Sequence, residues 1–335
     1  MSEENFSSLG KVEAIRLLYE GTPFTPFSSA YFLTAGKSYC TSKSVILSEG
    51  IDFDLVYFPL KHLGYKSVVK ASGELYAEMA EPRTLAIRLG VSSKLDFSQV
   101  REIWTGMVAA AKEHGYKDVD LDLKPSVNGL YISVSATGET SELTAGRRTE
   151  AHSMDLICVS GSLGAAYMGQ QVLIRGKEQF GKEGEQPSLE KYRQQIGAFL
   201  KPEINPGTLK QFEESGIYPS FGYLVCDGLA DAVKRLSRDS GLGAKVYMDR
   251  LPFAGDSFEL GKQLGVDAVT AAMNGGDDCV LLFTVPLSHH DKFRHDFQTY
   301  DIIGHLAKPE VGAVVVTPDG VEFPLKAQGW DVSED

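Results

Sequence analysis

Hydrophobic and polar positions along the chain change period several times, and each change marks an element. Leu9, Val12, Ile15 and Leu18 fall near helical spacing and predict a short helix over residues 8 to 20. Residues 30 to 58 carry short β-rich runs, of which SVILSEGIDFDLVYF is the longest. LKHLGYKSVVKASGELYAEMA reads as a helix interrupted near Ser72-Gly73, and TLAIRLGV as a strand. FSQVREIWTGMVAAAKEHG puts Val100, Ile103, Met107 and Ala110 on one helical face and Gly115 just past its end. VDLDL and LYISVSATGE are strands. The pattern then restarts. DLICVSGSLGAAYMGQQVL reads strand, glycine turn, helix, and GKEQFGKEGEQPSLEKY reads as loop or solvated helix. FGYLVCDGLADAVKRLSRDSGLGAKVYMDRLP gives strand, turn, helix, strand. NGGDDCVLLFTV is a strand, HDKFRHDFQTY a helix, and GAVVVTPDGVEFPL a hairpin turned at Pro318-Asp319-Gly320. Helices and strands alternate, with many neighbouring strands antiparallel. The expected class is α/β (α+β), in two domains spanning residues 1–150 and 151–335.

The bulk numbers narrow the function. The chain has 335 residues, room for two cores, and a formal charge of -12, which argues against a nucleic-acid backbone as partner. No apolar run reaches the roughly 18 residues of a membrane span. The first residues, MSEENFSSLG, lack a basic segment followed by an apolar one, so a secretory leader is not expected. Cys40, Cys158, Cys226 and Cys279 form no CxxC pair and read as reduced thiols of a cytoplasmic protein.

Few motifs carry chemistry by themselves. GKEQFGKE, residues 176 to 183, nearly matches GxxxxGK[ST], but Glu183 stands where a hydroxyl belongs and the flanks are charged. It reads as chance. His289, His290 and His295 read as a solvated helix, since i,i+5 spacing does not place two on one face. The acids are more informative. Asp118, Asp120 and Asp122 alternate along one strand, Asp227 opens a helix, and Asp277-Asp278 precede an apolar strand. Adjacent carboxylates at the mouth of a buried strand repel, and their desolvation is costly unless a positive group or water intervenes. Carboxylates at strand ends are how Mg²⁺-phosphate sites are built, which suggests phosphoryl chemistry.

SEGIDFD, YFPLKHLGYK, DLICVSGSLGAAYMG, VCDGLADAVKRLSRDSGLGAKVY, NGGDDCVLLFTV and LKAQGW, in this order, carry a resemblance to a known family. The chain resembles the thiamine-monophosphate kinases, relatives of aminoimidazole ribonucleotide synthetase. The resemblance implies two α/β domains, the N-terminal ones of two subunits pairing into a shared β-barrel that binds ATP. It implies transfer of the ATP γ-phosphoryl group to thiamine phosphate, giving thiamine diphosphate, with Mg²⁺. It also implies a homodimer in the cytoplasm with a small phosphorylated substrate, and neither nucleic acid nor membrane as partner.

Carried over by motif, the resemblance makes Asp122 and Asp227 catalytic and Glu74, Asp122 and Asp227 metal ligands. Arg148, Asp122 and Cys226 would meet the nucleotide, and Asp52, Asp277, Asp278 and Trp330 the substrate. Several motif positions depart from the family. Phe27-Ser28-Ser29 stands for GDD, Val45 for a metal-binding Asp and Asp52 for a His. Gly73-Glu74 stands for SD. Asp120-Leu121-Asp122-Leu123-Lys124 replaces GGDTT, so side chains stand where glycine admits phosphate. DxSDGL reads Leu224-Val225-Cys226-Asp227-Gly228-Leu229, and GG[DE]DYEL reads GGDDCVL, with Val280 for a Glu. The expectation is an ATP-dependent kinase scaffold with weak or lost activity; the alternative is a non-catalytic paralogue that binds a small ligand or a partner protein.

Overall fold

A computed structural model describes residues 17–23, 38–184 and 188–326. The expected Phe27-Ser28-Ser29 stretch, Trp330 and most of the first helix lie outside them. Contacts divide the chain into two compact units, residues 1–75 with 79–143 and residues 76–78 with 144–335.

The first unit runs β1 (Ser38–Ser48), α1 (Leu60–Ala77), β2 (Glu81–Ser92), α2 (Phe97–Glu113), β3 (Asp118–Ser126) and β4 (Tyr131–Ser141). Its sheet has the order β1-β4-β2-β3. β1 and β2 flank β4 antiparallel, whereas β2 and β3 pair in parallel. A parallel pair needs a crossover, and α2 supplies it. Asp96 caps α2 in a capping box with Gln99. α1 is one continuous helix, without the interruption expected near Ser72-Gly73. The Ser72 hydroxyl bonds back to the Val68 carbonyl and to the Tyr116 hydroxyl, so this residue is satisfied inside the helix. α1 is buried nearly all round, including Lys66 at 0% exposure. It meets α2 at Gly64 and Gly106. A Cβ on Gly106 would lie 1.9 Å from the Lys61 carbonyl, and one on Gly64 1.9 Å from that of Ile103, so only glycine permits this approach.

The second unit begins with α3 (Glu142–Arg147), β5 (Leu156–Val159), α4 (Ala165–Glu183), α5 (Arg193–Leu200) and α6 (Thr208–Ser215). It continues with β6 (Gly222–Val225), α7 (Leu229–Ser240), β7 (Gly243–Tyr247), α8 (Ser257–Leu264) and α9 (Ala268–Asn274). It closes with β8 (Val280–Val285), α10 (His290–Asp296), β9 (Asp301–Ala307), β10 (Ala313–Val316) and β11 (Glu322–Pro324). The seven strands order as β11-β10-β7-β9-β5-β8-β6. All neighbours are antiparallel except β10 and β7. Strand alternation gives the sheet two apolar faces. One packs Ile157, Val159, Val225 and Leu282 against Leu229, Val233 and Leu236 of α7. Phe283 instead joins Phe212, Phe293, Phe297 and Tyr300 in an aromatic cluster. The near-match to a phosphate loop is helical, lying at the end of α4, and so cannot wrap a phosphate.

Candidate functional site

The NGGDDC turn joins α9 to β8. Asp277 and Cys279 both take positive φ, 63° and 52°, a region most residues avoid. Two backbone bonds hold them there. The Asp277 N–H donates to the Cys226 carbonyl (2.7 Å) and the Cys279 N–H to the Val225 carbonyl (2.9 Å), fastening the turn to the end of β6.

Asp278 reaches the other way. Its carboxylate accepts the backbone N–H groups of Gly164 (2.7 Å) and Ala166 (3.2 Å) at the start of α4. Gly164, the N-cap, has φ 77° and no side chain to cap with; a Cβ there would stand 2.9 Å from the Ala272 nitrogen. Asp278 therefore does from across the chain what an N-cap side chain does locally. Burial pushes the Asp278 carboxyl up to about 7; the α4 N–H bonds oppose this, and neighbouring Asp277 adds to it. The twin carboxylates are thus separated by main-chain geometry, with a helix N-terminus as the positive partner of one.

Asp278 sits in a cleft of about 870 Å³. Ser160, Ser162, Arg193, Lys201 and Val280 line it as well. The Ser160 hydroxyl accepts the Leu281 N–H (2.8 Å) and Lys201 pairs with Glu203 (2.8 Å). Exposed Arg193 and Lys201 and the serine hydroxyls suit an anionic small molecule. Ser160, Ser162, Arg193 and Lys201 were missed in the sequence, although the Ser160-Gly161-Ser162 turn after β5 offered a signal, since ligands gather at strand C-termini. A second cleft of about 830 Å³, with Arg250, Arg294 and His305 in its lining, holds none of the motif residues.

Asp227 is exposed just after β6, and the helix cap falls on Gly228 instead. The Cys226 Sγ lies 3.4 Å from the Cys279 Sγ. Arg148 is held by main chain: its guanidinium donates to the carbonyls of Pro219 (3.0 Å), Glu78 (3.1 Å) and Ser220 (3.0 Å), with the Glu78 carboxylate 3.8 Å away. That engages three of its five N–H donors.

In the first unit, Asp118, Asp120 and Asp122 share the less buried face of β3, opposite Val119, Leu121 and Leu123. Asp120 pairs with Arg88 at 2.5 Å, and Asp122 accepts the N–H of Leu123 at 2.9 Å. Glu74 is half-buried on α1. Asp52 accepts the Ser48 N–H (2.7 Å) and so closes the turn after β1. Among the described residues, no three or more His, Cys, Asp or Glu side chains are placed to hold a metal ion. Of the acids expected to hold Mg²⁺, Asp122 accepts a main-chain N–H, Glu74 is half-buried and Asp227 is exposed, while Asp52, Asp120 and Asp278 are engaged by the chain itself.

No family model matches the chain. The thiamine-monophosphate kinase of Aquifex aeolicus is 26% identical over 264 residues, covering 78% of this chain and 81% of that protein. The chain is a diverged relative of the thiamine-monophosphate kinases. A solved complex of AaThiL with AMPPCP and TMP matches with a TM-score of 0.71 at 21% identity, over 96% of this chain and 97% of the other. The hydrogenase maturation protein HypE in complex with ATP matches with a TM-score of 0.66 at 18% identity, over 94% and 92%. These likenesses establish the fold, the one that the kinases and HypE share.

Proposed function

We propose that this protein keeps the ligand-binding scaffold of a thiamine-monophosphate kinase, taking ATP and a small phosphorylated molecule, while phosphoryl transfer is weak or lost. The kinship to the kinases, and the AMPPCP and TMP in the AaThiL complex, support the ligand class. Val280 carries the reading on activity. It lines the cleft beside Asp278 and pairs with Val225 across β6 and β8, so a buried methyl surface stands where the motif calls for a substrate-contacting acid. Leu224, 1% exposed, likewise puts core packing where an acid belongs. Catalysis of phosphoryl transfer is mostly positioning and charge neutralisation. Each missing interaction costs about two to three decades in rate.

The same reading includes a homodimer formed through the first unit. β1 is an edge strand that exposes Tyr39 (60%) and Ile46 (64%), an uncovered edge of the kind a second copy closes. No described helix is long and apolar enough to cross a membrane.

The test is calorimetric titration of the purified protein with AMPPCP and thiamine phosphate in Mg²⁺, followed by an assay for thiamine diphosphate. Micromolar binding with turnover at least a hundredfold below that of the Aquifex aeolicus kinase is the expected result. Turnover matching that kinase removes the claim of impairment. Absence of binding to either ligand removes the claim that the ligand site is kept.

A further inference from the structure

All four cysteines are reduced in the structure, and they differ sharply in setting. Cys40 is exposed on β1. Cys158 is buried in β5, where burial pushes its thiol up and leaves it inert. Cys226 and Cys279 lie side by side although 53 residues separate them. Each is the residue next to the last paired position of its strand, Val225 opposite Val280. Their sulfurs are 3.4 Å apart, and the backbone bonds from Asp277 to Cys226 and from Cys279 to Val225 hold the two segments together. The sequence adds an independent observation. Cys226 falls on the Ser of DxSDGL and Cys279 on the Tyr of GG[DE]DYEL, so two distant motif positions have become cysteine where the fold makes them neighbours.

We propose that Cys226 and Cys279 are a redox-active pair that closes to a reversible intramolecular disulfide. The proposal stands apart from the kinase reading, because it rests on the Cys226–Cys279 geometry and its test reads a covalent link. A disulfide needs a sulfur separation of about 2.05 Å, so the pair must close by roughly 1.4 Å, within reach of side-chain rotation. Cys226 is partly exposed and Cys279 is 1% exposed. This asymmetry assigns the order of events with hydrogen peroxide as oxidant. The Cys226 thiolate attacks one peroxide oxygen, the O–O bond breaks, and the departing hydroxide takes up the proton released by the Cys226 thiol and leaves as water, giving a sulfenic acid. The Cys279 sulfur then attacks the Cys226 sulfur, the S–O bond breaks, and the hydroxide takes up the Cys279 proton and leaves as a second water. Two thiols and one peroxide become one disulfide and two waters.

The full-length protein, reduced and freed of reductant, is exposed to hydrogen peroxide, and its remaining thiols are alkylated after unfolding. Alkylated sites should fall from the four of the reduced chain to two, and dithiothreitol should restore them. Digestion without reductant should yield one linked peptide, joining residues 226 and 279. Cys226→Ser and Cys279→Ser should each abolish the link, while Cys40→Ser keeps it. The wild-type peptide map decides the matter even if a serine variant folds poorly. A disulfide between two chains through Cys40, a Cys226 that gains oxygen while Cys279 stays alkylatable, or four thiols surviving the oxidant would each overturn the proposal.

Discussion

Burial holds the Asp278 carboxyl near 7, well above the roughly 3.9 of an unfolded chain. The folded state therefore binds this proton more tightly than the unfolded state does. The stability it contributes is complete below about pH 4 and is lost as pH rises through about 7. Thermal melts followed by circular dichroism should show the midpoint falling between pH 5 and 8, with a smaller fall in Asp278→Asn. An equal slope in the variant would assign the dependence to another group. Arg148 makes a different residue-scale prediction. Its planar fork serves three carbonyls at once, which a lysine ammonium cannot reproduce. Arg148→Lys should cost about 3 kcal/mol, read from urea unfolding, because buried carbonyls lose their donors. A loss under 1 kcal/mol would mean water replaces them.

Among the elements, the contact between α1 and α2 is the most demanding. Gly106 has no room for a methyl group against the Lys61 carbonyl, and both partners are helix backbone that cannot rotate away. Gly106→Ala should destabilise the protein by about 3 kcal/mol in urea unfolding. A neutral result would show that the helices slide apart freely. Element types were largely legible beforehand. Gly115 marked the end of α2, and the 2.0 period of VDLDL matches β3, because these signals act within a few residues. Where the reading failed, distant contacts decided. Ser72-Gly73 reads locally as a helix break, but Ser72 is tied to Tyr116, 44 residues away, and the helix runs on. GKEQFGKE, read as loop or solvated helix, takes the second form and continues α4.

For the molecule as a whole, the exposed edge of β1 carries the prediction about assembly. Analytical ultracentrifugation at micromolar concentration should give twice the 36.5 kDa chain mass. Ile46→Lys, placing a charge on that edge, should shift the population toward monomer. A wild-type monomer would leave Tyr39 and Ile46 as solvent-facing residues. The candidate site was only partly legible at this scale. Asp277 and Asp278 were singled out as a conflict of charges, but nothing nearby in sequence says that α4, more than a hundred residues earlier, answers it. Arg148 stood out as a cation for a nucleotide, whereas its partners are carbonyls about 70 residues away on either side.

The sequence by itself determined most element types, the mixed helix-and-sheet class, the likeness to the thiamine-monophosphate kinases and the motif positions that have changed. These follow from local periodicity, capping chemistry and ordered motifs, all of which are written along the chain. Only the tertiary structure decided what each polar group touches. It placed Asp278 on the start of α4, Arg148 among three carbonyls and Cys226 against Cys279. Such partners are fixed by strand register and by where helices enter the sheet, and neither quantity is encoded in the spacing of neighbouring residues.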